Sequence, residues 1–281
     1  MKLRPIALVL VTFLLLGLVL SQVQLNLLSH YFSTADYRWF LWVLFLLCLQ
    51  WVVNAIRIQW IARKKCPLGF LETVKLNFAG GLINMVTPMR LGDMSRAFFL
   101  KRLGKSSFSQ GINFFVFDKV LNFFTLILIS GVSLLWLKLK LPGHHLLAIS
   151  LLGIAALAVG LFFFFSMLGL SLYQFFSIFF LSCASWLLHL VQVHCLFLAF
   201  HAKVSLLSVL ALTPIAILVS LLPVTLGGMG TRETAMLFLF KPMDPALVMG
   251  VSLLFTARYW LEALMGIPFI QGYFHPSPNI P

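Results

Sequence analysis

The residues able to do chemistry in this chain are few and clustered. The stretch "PMRLGDMSRAFFL", Pro88 to Leu100, sets Arg90, Asp93 and Arg96 beside a Pro and Gly92. Asp118, Lys119 and Asn122 form a second group. Behind a second Pro-Gly stretch with Pro223, Gly227, Gly228 and Gly230 stand Arg232 and Glu233, and further on Arg258 and Glu262 lie four apart. Gln50, Asn54 and Arg57 are spaced i, i+4, i+7, as are Ser185, His189 and Gln192, so each set makes a polar stripe along a helix. A guanidinium offers a rigid fork of donors that fits carboxylate or phosphate oxygens. Neighbouring carboxylates can pair with it or carry protons. The chemistry on offer is therefore anion recognition and ion pairing. Soluble-enzyme signatures are missing: no G-x-x-x-x-G-K-[ST] marks a P-loop, and no H-E-x-x-H marks a zinc site. "GGMG" at 227–230 is a Gly-rich turn with no strand before it. No cofactor and no metal are expected.

These groups sit in an apolar chain. It has 281 residues, 61% hydrophobic and 10% charged, with a mean hydropathy of +1.04. A soluble domain carries about a quarter charged residues. Here the apolar residues fall in blocks of roughly 20 or more, enough to cross a bilayer as helices. The pattern implies an all-α polytopic membrane protein, and lacks the alternation a β-barrel would show. The net charge of +13 reads as basic loops against anionic lipid head groups, and nucleic acid is not an expected partner. Cys48, Cys66, Cys183 and Cys195 contain no C-x-x-C pair and read as packing residues.

Helices are expected at about 6–28, 39–62, 109–137, 145–168, 173–200 and 246–272. The first resembles a signal peptide but has no A-x-A site, so an uncleaved helix is expected. Two shorter apolar segments, about 70–87 and 205–222, each run into a Pro and then a Gly. Pro removes a backbone donor and clashes with the preceding turn, so both helices should break there.

The two breaks repeat one another. Pro88, Leu91, Gly92 and Met94 recur as Pro223, Leu226, Gly227 and Met229, an offset of 135. The same offset carries Cys48 to Cys183, Trp51 to Trp186, and the first polar stripe onto the second. After one extra residue, Ser95-Arg96 returns as Thr231-Arg232. The chain therefore reads as one membrane domain, 1–281, made of two repeat halves, 1–140 and 141–281.

Topology is read from the basic residues. If 70–87 enters and leaves on one side, Lys2, Arg4, Arg57, Arg63, Lys64, Lys65, Lys75, Arg90, Arg96, Lys101, Arg102 and Lys105 are cytoplasmic. Only Arg38, Lys138, Lys140, Lys203, Arg232 and Lys241 then lie opposite, as the positive-inside rule asks. The expected architecture is about six full spans plus two re-entrant broken-helix hairpins. Three spans per half invert the second half relative to the first, a design common in transporters.

Each polar group has two readings. The stripes either bond helix to helix or line a cavity. Asp118–Lys119 and Arg258–Glu262 are either structural ion pairs or part of a coupling or substrate site. New helices are expected to start near Asp93 and near Thr231, and helix starts attract phosphate. Arg90, Arg96 and Arg232 beside them either hold an anionic head group or only touch the lipid surface.

The chain resembles the flippase-like membrane region of lysylphosphatidylglycerol synthases and their stand-alone relatives. The resemblance rests on three ordered elements and covers nearly the whole chain: Pro88, Gly92, Asp93 and Arg96; then Asp118, Lys119 and Asn122; then Pro223, Gly227, Gly228, Gly230 and Glu233. Asp118-Lys119 stands where that family has Glu-Arg, and Asn122 where it has Asp. The resemblance implies lipid translocation without the synthase activity. Together these readings lead to a non-enzymatic lipid translocase of the cytoplasmic (inner) membrane, with its N-terminus in the cytoplasm. Its expected cargo is an anionic phospholipid or a polyprenyl-phosphate-linked lipid, moved by alternating access. Arg57, Arg90, Arg96 and Arg232 would hold the head group. A membrane-embedded enzyme acting on a lipid phosphate, and an ion-coupled transporter of a small polar solute, are the alternatives.

Overall fold

A computed structural model describes residues 3–21, 23–63, 66–87, 92–136, 153, 155, 158–160, 169–222 and 224–274. Ten α-helices are defined among them: α1 (Leu3–Ser21), α2 (Leu25–Ser33), α3 (Tyr37–Ala62), α4 (Phe70–Val86), α5 (Gly92–Arg102), α6 (Phe108–Trp136), α7 (Leu172–Ala199), α8 (Leu206–Val219), α9 (Thr231–Leu239) and α10 (Pro245–Phe274). No strand occurs among the described residues. Four helices, α3, α6, α7 and α10, are long and apolar enough to cross a membrane, and a bent α1–α2 pair would make five. The helix expected at 145–168 lies almost entirely outside the described residues.

The helix starts follow the local sequence. Asp36 accepts from the Arg38 N–H ahead of α3, at 3.1 Å. Ser205 accepts from the Ser208 N–H at the start of α8, and Ser171 with Gln174 makes a capping box for α7. One expectation is corrected. The single helix at 6–28 is instead two helices meeting at 83°. At the end of α1 the Ser21 hydroxyl donates to the Leu18 carbonyl, a local side-chain bond that competes with the helical ladder.

Both shorter segments end where the Pro-Gly stretches begin, α4 at Val86 and α8 at Val219. In the second stretch, Gly227, Gly228 and Gly230 have φ of 58°, 78° and 87°, a region that suits glycine. These glycines turn the chain through a short 3₁₀ segment into α9. In the first stretch, Gly92 lies so close to α4 that a Cβ would strike the Asn84 backbone and the Gly80 carbonyl. A Cβ on Gly266 would likewise hit the Phe78 carbonyl, which brings α10 against α4. Lipid tails are as apolar as leucine, so close approach and interhelical hydrogen bonds supply the association.

The most extensive packing is α3 on α7, followed by α4 on α10 and α6 on α8. α3 and α7 run antiparallel. The Asp36 N–H bonds the Ala199 carbonyl at one end, Gln50 meets His189 midway, and Trp60 lies 6.1 Å from the Tyr173 ring at the other. Phe13, Leu41, Phe45, Tyr173, Phe180 and Phe238 are among the large apolar side chains left exposed on the outside of the bundle.

Candidate functional site

The two polar stripes face each other along the α3–α7 seam. Gln50 Nε2 contacts His189 Nδ1 at 3.2 Å, and Ser185 donates to Asn54 Oδ1 at 2.8 Å. The 135-residue offset carries Gln50 to Ser185 and Asn54 to His189. Under that offset each of these two bonds maps onto the other. Gln192 also donates to Gln50, at 3.1 Å.

Arg57 leaves this seam toward α6. Its Nε lies 3.0 Å from Asp118 Oδ1, its Nη2 bonds Asp118 Oδ2 at 3.3 Å, and its Nη1 donates to Asn122 Oδ1 at 2.8 Å. Arg57 and Asp118 are both buried. In the second half, Arg258 donates to Gln192 Oε1 and to the His189 ring at 2.7 Å. Gln192 is the repeat partner of Arg57, and Arg258 stands one residue past the offset from Asn122. An arginine–amide bridge thus joins α3 to α6 and another joins α7 to α10, with the two residue types exchanged.

Asp93 is the hub of a third group. Asn84 donates to it at 2.9 Å, Lys119 Nζ lies 2.8 Å away and Arg96 Nη2 3.3 Å. The Arg96 side chain crosses α4 at Gly80, where a Cβ would collide with its Nε, and its guanidinium lies over the Phe115 ring. Asp118 and Lys119 each find a charged partner across the bundle. Successive residues on a helix point apart, so Asp118 takes Arg57 and Lys119 takes Asp93.

These groups wall a cavity of about 170 Å³. From the first half it takes Gln50, Trp51, Asn54 and Arg57 on α3, Asn77, Phe78, Gly81 and Asn84 on α4, Asp93 and Arg96 on α5, and Asp118 and Asn122 on α6. The second half adds Ser185, Trp186 and His189 on α7, and Tyr259 and Glu262 on α10. Sequence marks Arg57, Asp93, Arg96, Asp118, Asn122 and Glu262 of these. It does not single out Trp51, Asn77, Asn84, Trp186 or Tyr259, although the return of Trp51 as Trp186 is a signal. Pro88, Arg90 and Pro223 lie outside the described residues.

Arg232 and Glu233 lie elsewhere. Arg232 is 1% exposed and is not part of the cavity wall. It pairs with Glu233 at 3.2 Å and donates to Thr256. Glu233 also accepts from the Gly230 N–H at 2.6 Å, capping α9. Arg232 and Arg258 share the rings of Phe255 and Tyr259. Arg96 and Arg232, which read alike in sequence, thus differ: one opens on the cavity, the other is sealed behind aromatic rings. Among the described residues no three His, Cys, Asp or Glu side chains are placed to hold a metal.

A comparison with protein families matches residues 6–177 and 166–266 to the family described as lysylphosphatidylglycerol synthase TM region. No curated protein matches the chain.

Proposed function

We propose that the chain, which belongs to the lysylphosphatidylglycerol synthase TM-region family, is a lipid translocase and not an enzyme. One observation carries the reading. Within a bundle of membrane-length helices lies a polar cavity walled by both halves of the chain, holding two arginines and three carboxylates. Buried charge in a membrane is expensive, and where it occurs it marks a pathway or a coupling site. A head group would enter this cavity while its acyl chains stay in the bilayer. The favoured cargo is an anionic phospholipid or a polyprenyl-phosphate-linked lipid of the cytoplasmic membrane.

The halves act as an inverted-topology repeat, each with a re-entrant hairpin, and the N-terminus is cytoplasmic. The exchanged bonds along α3–α7 support this reading. Antiparallel spanning helices related by a two-fold require an axis lying in the membrane plane, which inverts one half. The basic residues Arg63, Lys101, Arg102 and Lys105 then face the cytoplasm. The contrast between Arg96 on the cavity and sealed Arg232 supports a state open on one side. Transport exchanges the two environments. A leaflet-resolved assay in proteoliposomes with labelled lipids tests the proposal. Inversion of chemically unchanged lipid is expected; a chemically altered lipid would mean an enzyme instead.

A further inference from the structure

We infer that the part of the lipid received by the cavity is an uncharged, hydroxyl-rich group, a glycosyl or polyol, held by Trp51, Trp186 and Asn77. This rests on the translocase reading and revises its cargo: the group inside the cavity is uncharged, and any phosphate the lipid carries stays outside it. The cavity's arginines already have carboxylate partners: Arg57 has Asp118, and Arg96 shares Asp93 with Lys119. A bare phosphate taking either arginine would leave a buried carboxylate with less compensation, which is strongly unfavourable. Arg57 Nε and Asp118 Oδ1 answer each other at 3.0 Å, so apart from Arg96 Nε the wall's unmet hydrogen-bonding capacity lies on uncharged side chains. The indole N–H groups of Trp51 and Trp186 and both amide atoms of Asn77 are buried without a hydrogen-bond partner. Buried polar groups in folded proteins are nearly always satisfied, so we take the orphaned groups on these three lining residues as groups that turn to a ligand when it enters.

The chemistry of the three groups selects the class. Indole only donates, whereas an amide both donates and accepts. Hydroxyls answer both. The two tryptophans line the same cavity, one from α3 and one from α7. Their flat apolar faces suit the C–H faces of a sugar ring, and their N–H groups suit its oxygens. A volume of about 170 Å³ is below the roughly 300–1,000 Å³ of drug-sized pockets. It suits a single small polar group.

The test uses the full chain in phosphatidylcholine nanodiscs, with binding read by calorimetry. The probes are a dihexanoylglycerol bearing a glucosyl group, dihexanoyl phosphatidic acid, and free methyl glucoside. The glucosyl lipid is expected to bind at least tenfold tighter than either of the others. Trp51→Phe and Trp186→Phe keep the ring and remove the donor. Each should weaken glucosyl-lipid binding about two- to tenfold, with the unfolding temperature unchanged. Equal binding of phosphatidic acid, or unaltered binding by both Phe variants, overturns the inference. Equal binding of methyl glucoside would identify a soluble sugar and overturn the lipid source. In the leaflet assay, inversion of lipids without preference for the glucosyl group defeats this inference but leaves the translocase standing. Inversion of no lipid defeats the translocase itself.

Discussion

Asp118→Asn probes the strongest link between the two faces of the site. Arg57 and Asp118 have side chains only 7% and 9% exposed, with Nε and Oδ1 at 3.0 Å. Removing one member of a buried pair costs about 3–5 kcal/mol, because the other charge is left uncompensated. Two features soften the loss. The new amide keeps an acceptor oxygen, and Asn122 still accepts from Arg57 Nη1 at 2.8 Å. The lower end, about 3 kcal/mol, is therefore expected. Denaturant unfolding of the reconstituted protein, followed by tryptophan fluorescence, measures it. The double variant Arg57→Gln/Asp118→Asn carries no unpaired charge and should recover up to about 3 kcal/mol relative to the sum of the singles. Lipid inversion by Asp118→Asn should fall further than the loss of folded protein explains, since the cavity then carries an extra positive charge. Parent-like transport at equal expression would return Asp118 to a purely structural role. Strict additivity in the double variant would mean that the pair does not couple at all.

Arg232→Gln should destabilise the fold by about 3–5 kcal/mol, because it strands Glu233 in a sealed site; Arg96→Gln, on the cavity wall, should mainly slow transport, and thermal unfolding beside the leaflet assay separates the two. Gly92→Ala should cost about 1–3 kcal/mol by pushing α5 off Asn84 and Gly80, seen as a lowered unfolding midpoint; parent-like stability would contradict the close contact. Single-cysteine labelling at the exposed positions 63 and 104, in a background without the native cysteines, should report the same face of the membrane. Opposite faces would break the inverted-repeat reading.

Much of the bundle was legible because membrane helices announce themselves by length. α3, α6, α7 and α10 begin and end within one or two residues of the expected spans. The bend between α1 and α2 was not read, since a run such as Ser21 to Gln24 is tolerated inside many helices. At the site, the i, i+4, i+7 spacing exposed both polar stripes, and the family elements marked Asp93, Arg96, Asp118 and Asn122. Spacing alone does not say which stripe meets which. It also misses partners fixed by backbone proximity, such as Asn84 on Asp93, which depends on Gly92 closing onto α4. Arg96 and Arg232 read alike in sequence, and only packing against Phe255 and Tyr259 sets them apart.

The most direct test asks whether head groups cross through the cavity. Asn54→Phe places a ring into the space between α3 and α7 without removing a charge. Proteoliposomes holding equal amounts of folded parent and variant would be loaded with fluorescent lipid, and leaflet exchange read by an impermeant quencher. The parent is expected to bring inner-leaflet lipid to the quencher well above the rate of protein-free vesicles, and the filled variant to fall back to that background. Exchange by Asn54→Phe at the parental rate would place the lipid path outside this cavity.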